Sequence, residues 1–543
     1  MASFSVSGNI VDVHSKEIYP GKIEIKDGII SRIIRENDKK YDSHIGPGLI
    51  DAHVHIESSM MAPSEFARLA VAHGTVATMS DPHEIANVLG MDGIDFMYQN
   101  SRQVTFKIFF GAPSCVPATP FESSGATIKP SDIRELFKKN KAHYLSEVMN
   151  FPGVIAGDKD MMEKINIAKE MNRPIDGHAP GLGGEDLKKY AEAGITTDHE
   201  CTSIEEAREK ISRGMKILIR EGSAAKNFEA LHPLLDEHPD MCMLCSDDKH
   251  PDDLVKGHIN ELIKRGIKAG HDPITMMRAA SVIPQQHYRV GVGTLRKGEP
   301  ADFIIFDDFE NFNIEYTYVN GKTVAADGES FINKISFEKI NEFEAVEQEI
   351  EDFRVKSKGG DIRVIEAFDG ELLTKSFTTA ARTEEGNLVA DPENDILKIA
   401  VVNRYDREPP TIGFIKGFGL GRGALATSVA HDSHNVIGVG ASDKDLMQAV
   451  NAVIRSKGGM AVSDKMRLEV LPLPLAGLMS SEGGYHTAAK YSSIDKAAKQ
   501  LGSKLSAPFM TLSFMALLVI PELKLSDKGL FDGTKFEFTD LQI

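Results

Sequence analysis

Cysteine is scarce in this chain: four residues in 543, at Cys115, Cys201, Cys242 and Cys245. That is no disulfide framework, and a reducing cytoplasmic setting is expected. Cys242 and Cys245 form a lone CxxC in MCMLCSDD. Three positions apart on a strand they point to opposite faces, so they are read as core residues rather than metal ligands. A surplus of positive charge is missing too. There are 62 Lys and Arg against 80 Asp and Glu, a formal net charge of −18. A nucleic-acid partner calls for a basic face, so that class is set aside. No apolar run is long enough to cross a bilayer, so no membrane partner is expected. The most apolar late stretch, Leu505 to Leu525, is broken by prolines and hydroxyls and reads as a buried element. The start, MASFSVSGNIVDVHS, has no basic segment followed by an apolar one, so no secretory leader is expected.

At this length two to four domains are expected. From Gly48 to about Arg289, short β-rich runs alternate with amphipathic, helix-length segments, the pattern of βα units. The runs are LIDAHVH, TVATMSD, TFKIFFGAPS, AHYLSEVM, RPIDGHA, GITTDHE, KILIREGS and MCMLCSDD. Eight units predict an α/β chain built on a (β/α)8 TIM barrel over residues 49–289. The flanks, residues 1–48 and 290–335, alternate apolar and polar residues between glycine turns and predict a small discontinuous β-sandwich. Residues 336–543 are expected to form a C-terminal α+β domain. Its first segment, EKINEFEAVEQEIEDFRV, is read as partly helical, and the GxGxxA from Gly419 to Ala424 as a glycine-rich turn.

In such barrels the active site lies at the C-terminal strand ends. Those ends carry His53 and His55, Asp81 and His83, Glu147, His178, His199, Glu221 and Asp247. His53 and His55 are two apart, so on an extended strand their imidazoles project together, with Glu57 expected to follow. For any one of these residues a hydrogen-bonded loop group is an adequate account. For apolar strands that repeatedly finish in metal-ligand residue types, a metal centre is the better one.

The motifs PGLIDAHVH, DGHA, TDHE, CSDD and GTLRKGEPADFIIF resemble the amidohydrolase superfamily. Within it, HVHIESSMM, SDPHEIANVLG, DGHAPGL, REGSAAKN, CSDDKHPDDL and HDSHNVIGVG resemble the bacterial-type adenine deaminases along essentially the whole chain. The resemblance implies hydrolytic deamination of adenine to hypoxanthine and ammonia, as in purine salvage. It also implies two divalent metal ions, manganese or iron, with zinc compatible with the same ligands. His53, His55, Glu147, His178, His199 and Asp247 would hold the pair, with Glu147 bridging. Many relatives that act on cyclic amides carry a carbamylated lysine on the fourth strand. YLSEVM has none, which weighs against the alternative of a cyclic amidase; another aminopurine remains an alternative substrate.

Water addition to a purine carbon needs a base, and the departing amine needs an acid; Asp247 is the candidate for both. Glu57 and Glu221 are the two candidates for contacting the ring nitrogen, and the sequence does not choose between them. Asp81 and His83 are read either as orienting partners at the site or as a helix cap in SDPHE. His434, with His431 and Asp432, is a candidate for the substrate pocket, against a turn within its own domain. A cytidine-deaminase-type zinc site fails because Met241, not proline, precedes Cys242. A non-catalytic scaffold should have lost ligands, and every expected position is filled. A homo-oligomer is expected.

Overall fold

The computed structural model describes residues 3–543. Leu49–Val54, Thr75–Ser80, Lys107–Ala112, Tyr144–Val148 and Ile175–Gly177 pair in chain order as one parallel sheet. Thr197–Asp198, Lys216–Arg220 and Cys242–Cys245 form a second parallel piece. Two sets of bonds join the pieces into a curl. Between the fifth and sixth strands, the Thr196 N–H donates to the Ile175 carbonyl (2.9 Å) and the Gly177 N–H to Thr197 Oγ1 (3.2 Å). Between the eighth and first, the Asp247 N–H donates to the His53 carbonyl (2.9 Å) and the His55 N–H to the Asp247 carbonyl (3.3 Å). Helices cover the outside, so these strands are buried on both faces and read as continuous apolar runs rather than alternations. Cys242 and Cys245 are fully buried free thiols in the eighth strand.

The two flanks meet in one eight-stranded sheet. Ser3–Asp12, Glu17–Lys26, Ile29–Arg35 and His44–Pro47 come from the N-terminal side, and the strands from Phe303–Phe306 to Glu329–Ser330 from the other. The seam is His44–Pro47, parallel to Ser3–Asp12 and antiparallel to Phe303–Phe306. Ile10, Ile23, Ile25, Ile45 and Phe303 form its core.

The last part holds a second eight-stranded sheet, with the helix Asp443–Arg455 packed on it through Leu446, Ala449, Val450 and Val453. The Ser442 hydroxyl caps that helix by accepting from the Asp445 N–H (3.2 Å). The helix expected in the charged segment after Phe337 does not form. Residues 333–349 have no regular structure, and only Ile350–Phe353 makes a short 3-10 turn. The backbone there is claimed by other partners: the Glu344 N–H bonds the Arg404 carbonyl (2.8 Å) and the Gln348 N–H bonds Asn451 Oδ1 (2.8 Å). The Leu505–Leu525 stretch supplies the buried helix Pro508–Phe514. No helix among the described residues is long and apolar enough to cross a membrane.

Two buried lysines hold segments beside and above the strand ends. Lys210 is fully buried, and its Nζ donates to Asp198 Oδ2 (2.9 Å), Glu206 Oε1 (2.8 Å) and the Ala179 carbonyl (2.7 Å). Burial alone would lower its pKa, but the acidic groups around it outweigh that and raise it. Lys524, also fully buried, has no carboxylate partner. Its Nζ donates to the carbonyls of Leu372 (2.7 Å) and Phe514 (3.0 Å), two residues that roof the strand ends. Burial pushes its pKa down to about 7.

Replacing Lys210 by Met strands buried carboxylates, and denaturant titration is expected to show a loss of about 3–5 kcal/mol. Lys524 generates a pH effect. A lysine whose folded pKa is about 7, against 10.5 when free, contributes stability that is complete above pH 10.5 and lost as pH falls through about 7. Unfolding free energy of the wild type, from urea titration, is therefore expected to rise from pH 7 to pH 10 by up to about 3–4 kcal/mol. That rise should be absent in Lys524→Met.

Candidate metal centre

Glu147 closes the fourth strand and sits among imidazoles. Its Oε1 lies 3.2 Å from His55 Nε2 and 3.4 Å from His83 Nδ1. Its Oε2 lies 2.8 Å from His178 Nδ1 and 3.2 Å from His199 Nε2. Asp247 faces the same group from the eighth strand, with Oδ1 3.3 Å from the Nε2 atoms of both His53 and His55. The six residues expected as metal ligands are thus brought together, and every one is buried. Local backbone explains how. Asp247 adopts φ of +53°, a left-handed conformation that costs an L-residue roughly 1–2 kcal/mol. It is held there by the two bonds to the first strand, which turn its side chain across the strand ends. Asp51 braces the same junction, accepting from the Ser246 N–H (3.0 Å) and pairing with His258 Nε2 (2.8 Å).

The electrostatics favour a cation. Burial raises carboxylate pKa values, yet Glu147 is held well below the usual range by His178, His199 and His55, and Asp247 by Arg220, His53 and His55. Burial opposes a charged imidazole at every histidine. At His55, His178 and His199 the surrounding carboxylates outweigh it and the pKa is raised; at His53 burial prevails, aided by His199. Both ring nitrogens of His53 and Nε2 of His178 are buried without a hydrogen-bond partner. Unpartnered imidazole nitrogens facing ionised carboxylates are what a first-row divalent ion uses, so the donor set fits such a metal. The subsets His53–His55–Asp247 and His53–Glu147–His199 each bring their ligand atoms within 4.8 Å of one another.

The Asp81 carboxylate makes two contacts to His83. Asp81 Oδ1 accepts its backbone N–H (3.0 Å) where the helix His83–Ser101 begins, and Asp81 Oδ2 pairs with its Nδ1 (3.0 Å). Its ring lines the cavity above Glu147. Three expected residues are placed differently. Glu57 is buried but does not line the cavity. Its Oε1 accepts the Ile85 N–H (3.2 Å), and burial, with the charge of Glu84, pushes its pKa up to about 7. The strand ends at Val54 and Ile56–Ser59 turn as a 3-10 helix, so the alternation that aims His53 and His55 no longer applies. Glu221 points away from the site and pairs with Arg265 (2.7 Å), because the strand residue before it, Arg220, takes the inward side. His434 does not line the cavity either. Its Nε2 contacts one oxygen of Glu84 while His431 Nδ1 contacts the other.

The site also contains groups the sequence reading did not select. Arg220 donates to Asp247 Oδ2 (2.7 Å) and grips Glu200 through both terminal nitrogens, one of them at 3.0 Å from Oε2. Glu84 lines the cavity beside His83, together with Asp432 of the HDSH segment that the sequence offered for the pocket, and Leu372, Phe514 and Leu517 cover it. Glu84 and Glu200 directly follow His83 and His199 in PHE and DHE, the one signal that could have found them.

Residues 45–324 match the amidohydrolase family, and residues 371–537 match the adenine deaminase C-terminal domain. An adenine deaminase of Salinibacter ruber is 53% identical over 541 residues, covering 99% of each chain. One of Methanosarcina mazei is 52% identical over 549 residues (98% of each), and one of Borreliella burgdorferi 48% identical over 548, covering 99% of this chain and 100% of that one. A likeness of that depth, over nearly the whole chain and so across the candidate ligand cluster and the segment that roofs it, assigns the chain to the adenine deaminase family of the amidohydrolases.

Proposed function

We propose that this protein deaminates adenine hydrolytically, giving hypoxanthine and ammonia. The observation that carries the reading is that the likeness to adenine deaminases includes both the ligand cluster around Glu147 and the C-terminal roof over it. On this reading the curled sheet is a (β/α)8 barrel with its site at the C-terminal mouth. The flanks 1–48 and 290–335 are a β-sandwich, and residues 336–543 are the domain that closes the site. His53, His55, Glu147, His178, His199 and Asp247 would hold two divalent ions, manganese or iron by family likeness, with Glu147 the carboxylate available to both. When bound, such ions make water available as a nucleophile near neutral pH.

The chain's own groups do the rest. A C6–O bond must form, a C6–N bond must break, and a proton must reach the departing amino group. Asp247 suits that transfer because Arg220 keeps its carboxylate ionised while Oδ1 faces the imidazoles and the cavity. It takes a proton at Oδ1 as water adds and returns it to the leaving nitrogen. Leu372, Phe514 and Leu517 exclude bulk water, which strengthens every charge interaction beneath them. The fourth strand offers Glu147 and no lysine, so the carbamate arrangement of many cyclic amidases has no anchor here.

Ammonia release from adenine by the manganese-loaded protein, with adenosine, cytosine and dihydroorotate in parallel, tests the reading. Adenine turnover alone is expected, and Asp247→Asn should lower kcat by about 10²–10⁴-fold. Turnover of another substrate with none of adenine, in a metal-replete sample, overturns it. Glu147→Ala should lose bound metal by elemental analysis, because it removes a group shared by both imidazole pairs. Unchanged metal content would contradict its bridging role.

A further inference from the structure

Asp432 has no role in the chemistry above, yet it places a buried carboxylate in the roof. It is 3% exposed, and its Oδ2 is buried with no hydrogen-bond partner. Its Oδ1 lies 3.7 Å from His83 Nε2, while the other nitrogen of that ring lies 3.4 Å from Glu147 Oε1. Asp432 therefore lines the cavity one imidazole ring beyond the ligand cluster. The neighbouring Glu84 is already engaged by His431 and His434. A buried carboxylate oxygen left without a donor is costly, and a ligand N–H at that point removes the cost.

The chemistry of adenine supplies one candidate donor for that end. Ring nitrogens N1 and N3 are acceptors, and the exocyclic amine belongs at the reacting carbon by the metal ligands. The remaining N–H is on the five-membered ring, at the opposite end of the base. Resting on the adenine reading, we propose that Asp432 is a specificity-determining residue. It accepts the five-membered-ring N–H and so selects the free nucleobase against N9-substituted forms such as nucleosides. His434 and His431 hold Glu84, and with it the turn that presents Asp432.

The test compares adenine with 9-methyladenine, which has no ring N–H in either tautomer, in wild type, Asp432→Ala and Asp432→Asn. Binding of the unreactive pair hypoxanthine and 9-methylhypoxanthine is measured by calorimetry on the same proteins. A site built around a substrate N–H rejects the analogue lacking it by about 10⁴-fold, so a wild-type preference of that order is expected. In Asp432→Ala the preference should fall to roughly the 10–200-fold that a methyl group alone is worth. The loss should appear in KM and in hypoxanthine affinity, with 9-methyl ligands little affected. Asp432→Asn, which keeps an acceptor oxygen, should retain most of the preference, and Asp432→Ser replaces the alanine variant if that one does not fold. Equal losses for the free and methylated bases overturn the proposal and leave Asp432 a structural residue. Absence of adenine turnover with Asp432-dependent hypoxanthine binding would fail the deaminase reading and leave this one standing. Turnover with an unaltered preference does the reverse.

Discussion

One carboxylate organises the molecule. Glu147 presents its two oxygens to two different sets of imidazoles, His55 and His83 on one side, His178 and His199 on the other. Those histidines come from four separate strand ends or the turns just beyond them, so their meeting fixes how the parallel sheet curls. The convergence is expensive electrostatically, because every one of these groups is buried. It persists because opposite charges face each other at close range in a site sheltered from water. Asp247 completes the arrangement from the eighth strand, and its two backbone bonds to the first strand make the same residue a closing stitch of the sheet and a member of the site.

The C-terminal part is joined to the site by chemistry rather than by simple proximity. Glu84, in the first turn of the helix His83–Ser101, is gripped by His431 and His434 of a loop in the distant C-terminal sheet. Lys524 pins the two roof segments by their carbonyls. A likeness confined to the first half of the chain would have left the cavity uncovered. The match to the adenine deaminase C-terminal domain covers the residues that cover it.

Much of this was legible in the sequence, for a physical reason. Parallel strands covered by helices must be apolar throughout, so a polar ligand-type residue marks the point where the strand ends. That rule located His53, His55, Glu147, His178, His199 and Asp247. It failed where backbone direction changes just past the strand. Glu57 keeps the spacing of His53 and His55 but lies in a 3-10 turn. At the seventh strand, KILIR is buried along nearly its whole length, so side-chain parity is invisible in its composition, and the sequence points to Glu221 where Arg220 faces inward. Glu84 meets His431 and His434 across some 350 residues, a pairing no local pattern reports. The segment before Ile350 carries helix-forming residues, but its N–H groups bond Arg404 and Asn451 instead, and tertiary partners outweigh propensity.

Glu147 is proposed to stand between two metal ions. Anomalous diffraction from crystals of the manganese-loaded protein, collected at the metal edge, tests it most directly. Two peaks flanking the Glu147 carboxylate, one beside His53 and His55 and the other beside His178 and His199, are predicted. A single peak, or metal bound away from Glu147, would contradict the account.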